Sequence, residues 1–269
     1  MPLSTQTIPP NPNSPHTHTV IFLHGRGDTA SNFRYAFTQW QDASSSQPPR
    51  NLADMFPSVR WVFPQSEIRP LARHPGSRIS QWFDTWDIAN LSEKEELQVE
   101  GLRESVGSIK EILDNEVKEL GGRLGNVVLA GISQGGATAV HTLINLGTKE
   151  KGNGGLGLGG LMVFSGRMPF PGGSLKETRR VLGLLEGDHD EDELEQDEVV
   201  KATPALVQHC ADDDLSRVEN GRAVRDSLER FGVDVTWREY PTGGHWLHSP
   251  EGIEDTARWL REHVFTSRV

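Results

Sequence analysis

Cysteine is almost missing from this 269-residue chain, and the lone Cys210 excludes an internal disulfide and fits a reducing compartment. No apolar stretch reaches the roughly 18 residues that a spanning helix needs, so no stable membrane insertion is expected. The opening segment has neither a basic n-region nor an apolar h-region, which argues against a secretory signal. Basic residues are the minority, 27 against 38 acidic, and the net charge of −11 disfavours a nucleic-acid or anionic-membrane surface. No internal repeat is present. The default expectation is a cytoplasmic protein.

What the chain does have is a regular alternation of short apolar runs and helically spaced segments. Residues 20–23, 59–64, 126–130, 161–164, 205–209 and 233–239 read as strands. Residues 31–39, 134–146, 219–231 and 253–264 read as helices. So does 102–120, with apolar residues at 102, 106, 109, 112, 113, 117 and 120. Strands alternating with helices predict an α/β fold with a mostly parallel central sheet covered on both faces. Residues 1–18, rich in Pro, Ser, Thr and Asn, read as a disordered arm, and 19–269 as one domain. Residues 65–90 read as irregular and aromatic. The dense acidic run at 186–198 reads as a solvated surface loop.

Ligands of such sheets bind beyond the carboxyl ends of the strands. There the chain carries Gly131-Ile132-Ser133-Gln134-Gly135-Gly136, a G-x-S-x-G between an apolar run and a helix. A sharp strand-to-helix turn needs small residues around its apex, and it exposes the serine hydroxyl beside the first free N–H groups of the helix. Ser133 is therefore the candidate nucleophile. A serine needs a base, and the base an orienting carboxylate, in the chain order acid then histidine. Asp212, Asp213 and Asp214 follow the run at 205–209 and are all candidates for the acid. His245 follows Gly243-Gly244 directly after the last strand and is the favoured base, with His248 as its rival. His209, inside a strand, reads as a packed or hydrogen-bonded core residue. The oxyanion donors are expected to be the backbone N–H of Gln134 and of Arg26, the latter within His24-Gly25-Arg26-Gly27-Asp28.

These motifs, with Trp82-Phe83-Asp84, resemble the phospholipase/carboxylesterase family, which includes the acyl-protein thioesterases. The resemblance spans about residues 19–265. It implies an α/β-hydrolase fold without a large cap, no metal and no organic cofactor. It selects Asp213 as the acid, by matching His209-Cys210-Ala211-Asp212-Asp213 to the family's H-G-x-x-D, and places Trp82 beside the active site. Trp82 and Trp246 are expected to line an acyl pocket. The implied substrates are small-molecule esters or thioesters of apolar acyl chains, with lipidated proteins among the candidates. Lysophospholipase activity, or a non-catalytic ligand-binding role on the same fold, is the alternative. Arg26 departs from the family, whose residue there is usually apolar. It puts a cation either at the substrate mouth or in a salt bridge with an acidic neighbour.

Overall fold

Strands whose successive residues are all apolar must be covered on both faces. A computed structural model describes residues 2–43, 49–147, 157–184 and 197–265. Its strands are β1 (Thr5–Ile8), β2 (His18–Leu23), β3 (Val59–Pro64), β4 (Ile68–Pro70), β5 (Arg78–Ser80), β6 (Val127–Ile132), β7 (Gly160–Phe164), β8 (Ala205–Cys210) and β9 (Val235–Tyr240). Seven of them form one sheet in the order β1-β3-β2-β6-β7-β8-β9, parallel throughout except for β1. β4 and β5 form a separate antiparallel pair.

The helices are α1 (Ala30–Gln39), α2 (Leu52–Met55), α3 (Gln98–Glu119), α4 (Gln134–Ile144), α5 (Leu175–Leu182), α6 (Glu198–Lys201), α7 (Val218–Arg230) and α8 (Glu251–Trp259). Alternate residues of the central strands enter opposite layers, as the two-residue period of a strand requires. Ile21, Leu23, Leu129, Val163 and Val207 pack with Leu102 and Val106 of α3, Val140 of α4 and Val224 of α7. Phe22, Ala130, Met162 and Leu206 pack with Phe33 and Phe37 of α1 and with Ile253 and Trp259 of α8. Among the described residues no helix is long and apolar enough to cross a membrane.

Three readings of the sequence need correction. Residues 1–18 are not simply a disordered arm, because β1 pairs with β3 from Thr5 opposite Pro64 to Ile8 opposite Trp61. Main-chain hydrogen bonds hold it, extended by Gln65 N–H to Ser4 O at 2.9 Å, and Thr17 N–H to Ser58 O at 3.0 Å fixes the other end of the segment beside β2. Composition does not report that kind of bond. The stretch 65–90, read as irregular, contains the β4–β5 pair. In the acidic run, residues 186–196 lie outside the described residues, but Asp197 is fully buried rather than solvated. It pairs with Arg179 and caps α6, accepting from Val199 N at 2.7 Å and Val200 N at 3.2 Å.

Candidate active site

The turn between β6 and α4 is shaped by what it has no room for. A Cβ on Gly135 would lie 2.5 Å from the carbonyl oxygens of both Leu23 and His24, and one on Gly131 would overlap the Gly135 backbone. Neither position can carry a side chain without moving the neighbouring strand or helix. Between them Ser133 takes φ 55° and ψ −122°, a strained conformation for a residue with a Cβ. Its N–H is held by Phe164 O at 2.9 Å. The next residue, Gln134, begins α4, so its N–H has no acceptor within the helix.

On the far side of the sheet's carboxyl edge, β8 ends at Cys210 and the chain turns through Asp213. The Asp213 carboxylate is buried and fully engaged. Its Oδ2 is 2.8 Å from His245 Nδ1 and 3.2 Å from His209 Nε2. Its Oδ1 accepts from Leu215 N at 3.0 Å and Ser216 N at 2.8 Å. Burial alone would raise its pKa, but the hydrogen bonds from His209, His245 and Ser216 outweigh burial and hold it well below the usual carboxylate range. His209 Nε2 also approaches Ser216 O at 2.6 Å, while its Nδ1 is buried without a partner. The proton of His209 therefore sits on Nε2, between Ser216 O and the Asp213 carboxylate.

Asp212 has a different task. Its carboxylate accepts from Gly243 N at 3.2 Å and Gly244 N at 2.8 Å, which fixes the loop that presents His245. Both glycines have positive φ, at 139° and 63°. Asp214 is exposed and makes no contact with either histidine. His248 turns away from the cleft. It stacks on Tyr240 with centroids 4.2 Å apart, and its Nε2 meets Glu251 Oε2 at 2.9 Å.

Ser133, Gln134, Arg26, His245 and Trp246 border one cleft of about 540 Å³, with Gly25, Ile88, Leu215 and Arg167 around them. Among the described residues the remaining leg, Ser133 Oγ to His245, is not drawn into a hydrogen bond. Trp246 is 42% exposed on the rim. Among the described residues no group of His, Cys, Asp and Glu side chains could hold a metal ion.

Trp82 is the misplaced residue. It does not border the cleft but is fully buried beneath it. Its indole N–H donates to His24 O at 2.8 Å, and its backbone N–H donates to Gln134 Oε1 at 2.8 Å. The Gln134 side chain then donates to Phe83 O at 2.7 Å. A large apolar ring with one donor is drawn to a buried site offering a carbonyl, and here the carbonyl belongs to the loop carrying Arg26. Trp82 thus ties the two expected oxyanion segments together from below. His24 braces the same loop: Nδ1–H reaches Gly25 O at 2.7 Å and Nε2 accepts from Ser66 N at 3.2 Å, and burial lowers its pKa. His209 is the buried, hydrogen-bonded strand residue that its position predicted, but nothing in the sequence told its contact with Asp213 or the task of Asp212.

Comparison with known proteins agrees with this architecture. A protein of Yarrowia lipolytica named acyl-protein thioesterase 1 is 27% identical over 251 residues, covering 93% of each chain. A rice protein described as a probable inactive carboxylesterase is 26% identical over 268 residues, covering 96% of this chain and 90% of that one. The crystal structure of acyl-protein thioesterase 2 from Zea mays superposes with a TM-score of 0.71 at 23% identity, over 97% of this chain and 99% of that one, which shows a shared α/β-hydrolase fold. The profile of the family described as Phospholipase/Carboxylesterase matches residues 7–180, well over half of the length. The chain belongs to the phospholipase/carboxylesterase family and is a hydrolytic enzyme.

Proposed function

We propose that the enzyme cleaves carboxylic esters or thioesters of apolar acyl chains through Ser133, His245 and Asp213 and a covalent acyl-enzyme. The observation that carries this reading is the Asp213–His245 pair at 2.8 Å, whose histidine borders the same cleft as a strained, half-buried serine. His245 Nε2 takes the proton of Ser133 Oγ as that oxygen bonds to the substrate carbonyl carbon. The carbonyl oxygen becomes an oxyanion, received by the N–H groups of Gln134 and Arg26. The intermediate collapses, the bond to the alcohol or thiol breaks, and the imidazolium returns the proton to that leaving group. Water, deprotonated by His245, then attacks the acyl carbon and releases the acid, restoring Ser133. Asp213 stays ionised throughout and holds His245 with Nδ1–H towards itself. Contacts between nucleophile and base commonly tighten only when substrate is seated, so the open leg is compatible with this cycle.

The thioester option draws on the name of the Yarrowia relative. The apolar rim formed by Ile88, Leu215 and Trp246 supports an acyl chain at the mouth. Fluorophosphonate labelling followed by peptide mapping tests the assignment. Modification of Ser133, abolished by His245→Ala, supports it, and a chain that neither labels nor turns over a panel of esters and thioesters is a ligand-binding relative instead.

A further inference from the structure

Two arginines share the cleft with Ser133. Arg26 lies three residues past the end of β2 and Arg167 three residues past the end of β7, the two strands that flank β6. Their side chains converge on one wall. Arg26 Nε donates to Gln81 Oε1 at 2.9 Å. Arg167 Nη2 donates to Gln98 Oε1 at 2.7 Å and Thr85 Oγ1 at 3.3 Å, and the guanidinium lies over the Phe83 ring at 5.3 Å.

Every one of those acceptors is neutral. Neither arginine has a carboxylate within ion-pair distance among the described residues, although Arg167 is only 8% exposed. A buried guanidinium is costly to desolvate and normally finds a carboxylate. Asp84 acts on Arg26 and Glu95 on Arg167 only through space, without ion-pair contact; Asp84 accepts from Ala72 N and Thr85 N, and Glu95 from Phe170 N. Asp28, also on the cleft, accepts from Thr29 N. The Nε and Nη1 hydrogens of Arg167 have no acceptor among the described residues, and its residual exposure opens onto the cleft and an adjoining hollow. That hollow is bordered by three carboxylates, Glu95, Asp214 and Glu219, against Arg167 and Arg217, a net negative lining. The Ser133 side has Arg26 and Arg167 against Asp28 alone, with Thr85 and Ser165 beside them, a net positive lining.

We propose that Arg167, supported by Arg26, selects esters or thioesters that carry a carboxylate or phosphate in their acyl or alcohol part. The inference rests on the hydrolase reading above and names its substrate class. A guanidinium whose hydrogen-bond partners are neutral and which has no carboxylate in ion-pair contact leaves N–H groups for a ligand, and its planar fork matches either oxyanion. Two such groups on a protein of net charge −11 make this cleft a local exception to a surface that otherwise repels anions.

The test compares matched pairs. In the acyl arm these are 4-nitrophenyl hemisuberate and 4-nitrophenyl octanoate; in the alcohol arm, octanoyl glycerol phosphate and octanoyl glycerol. The readout is the ratio of kcat/KM for the anionic over the neutral member. A charge-assisted hydrogen bond predicts a ratio above one in at least one arm, falling about 10- to 100-fold in Arg167→Met. Arg167→Lys should recover part of it. A purely structural Arg167 would lower both members together and leave the ratio unchanged, which overturns the proposal, as does a wild-type ratio at or below one in both arms. If Arg167→Met does not fold, Arg26→Met carries the same comparison. Calorimetric binding of each pair to Ser133→Ala protein reads anion preference without turnover. Failure of the hydrolase reading would then show as absent hydrolysis, separately from the binding result.

Discussion

Around Ser133 the backbone is set by exclusion, whereas around His245 it is set by hydrogen bonds. At the first, neither Gly131 nor Gly135 has room for a Cβ, so the path from β6 into α4 requires glycine at both positions. At the second, two carboxylates collect six hydrogen bonds: Asp213 from His245, His209, Leu215 and Ser216, and Asp212 from Gly243 and Gly244. Steric exclusion is indifferent to pH and tolerates no substitution. Hydrogen bonds to a carboxylate are graded, titrate, and can be removed one at a time, each at about 1.5–3 kcal/mol. Ser133 is therefore a fixed point, and the Asp213–His245 pair is the adjustable half of the candidate site.

The largest expected effect comes from the fixed half. Ser133→Ala and Ser133→Gly should each lower kcat by about 10⁴- to 10⁶-fold, leaving what binding and the oxyanion donors supply. Their stabilities should separate. Glycine accepts φ 55° without strain, so Ser133→Gly should be about 1 kcal/mol more stable than Ser133→Ala, net of its greater unfolded-state freedom. Equal melting temperatures for the two inactive proteins would mean that the elbow stores no strain.

In the adjustable half the losses should be graded. Asp213→Asn is expected to cost about 10⁴-fold in kcat, since an amide favours the wrong tautomer of His245. Asp212→Asn keeps an acceptor for the loop N–H groups and should stay within about 10-fold. His209 lies between them: His209→Ala removes one donor to Asp213 and should cost about 10- to 100-fold in kcat, while His209→Gln retains a donor and should recover part of the loss. The pH dependence gives an independent check. The folded-state pKa of Asp213 is depressed, so its contribution to stability is present above the unfolded-state value and is lost as pH falls through the folded one. Removing the His209 donor raises the folded value, so acid unfolding of His209→Ala should begin at a higher pH than in the parent. Coincident acid limbs would assign His209 to packing alone.

This division also explains what could be read in advance. Exclusion is written in adjacent residues: Gly131, Ser133 and Gly135 occupy one short stretch, and the runs at 20–23, 126–130 and 161–164 must be covered on two faces whatever surrounds them. Hydrogen-bonded arrangements depend on distant partners. Asp212, Asp213 and Asp214 are chemically identical neighbours, and only the fold sends Asp213 to His245, Asp212 to the glycine loop and Asp214 to solvent. Strand β1 was hidden for the same reason, since its partner Trp61 is more than fifty residues away. Asp197, at the end of an acidic run, was concealed by its neighbours' composition until Arg179 was seen opposite it.

The two tryptophans give the smallest and sharpest test. Trp246 is on the rim, and Trp82 is under the segments that carry Arg26 and Gln134, holding His24 O. A rim residue acts on the part of the acyl chain it covers, at about 0.8 kcal/mol for each buried methylene, or roughly a fourfold gain in kcat/KM per carbon. Trp246→Ala should therefore flatten the rise in kcat/KM from two- to twelve-carbon esters and leave the shortest ester nearly unaffected. Trp82→Phe removes a hydrogen bond shared by every substrate, so it should lower kcat by about 10-fold at all chain lengths, consistent with a neutral bond worth about 1 kcal/mol plus the packing it orders. One variant changes the slope and the other the height of the same profile. If Trp82→Phe changes the slope, the residue reaches the chain after all; if Trp246→Ala changes only the height, the acyl group does not pass over the rim.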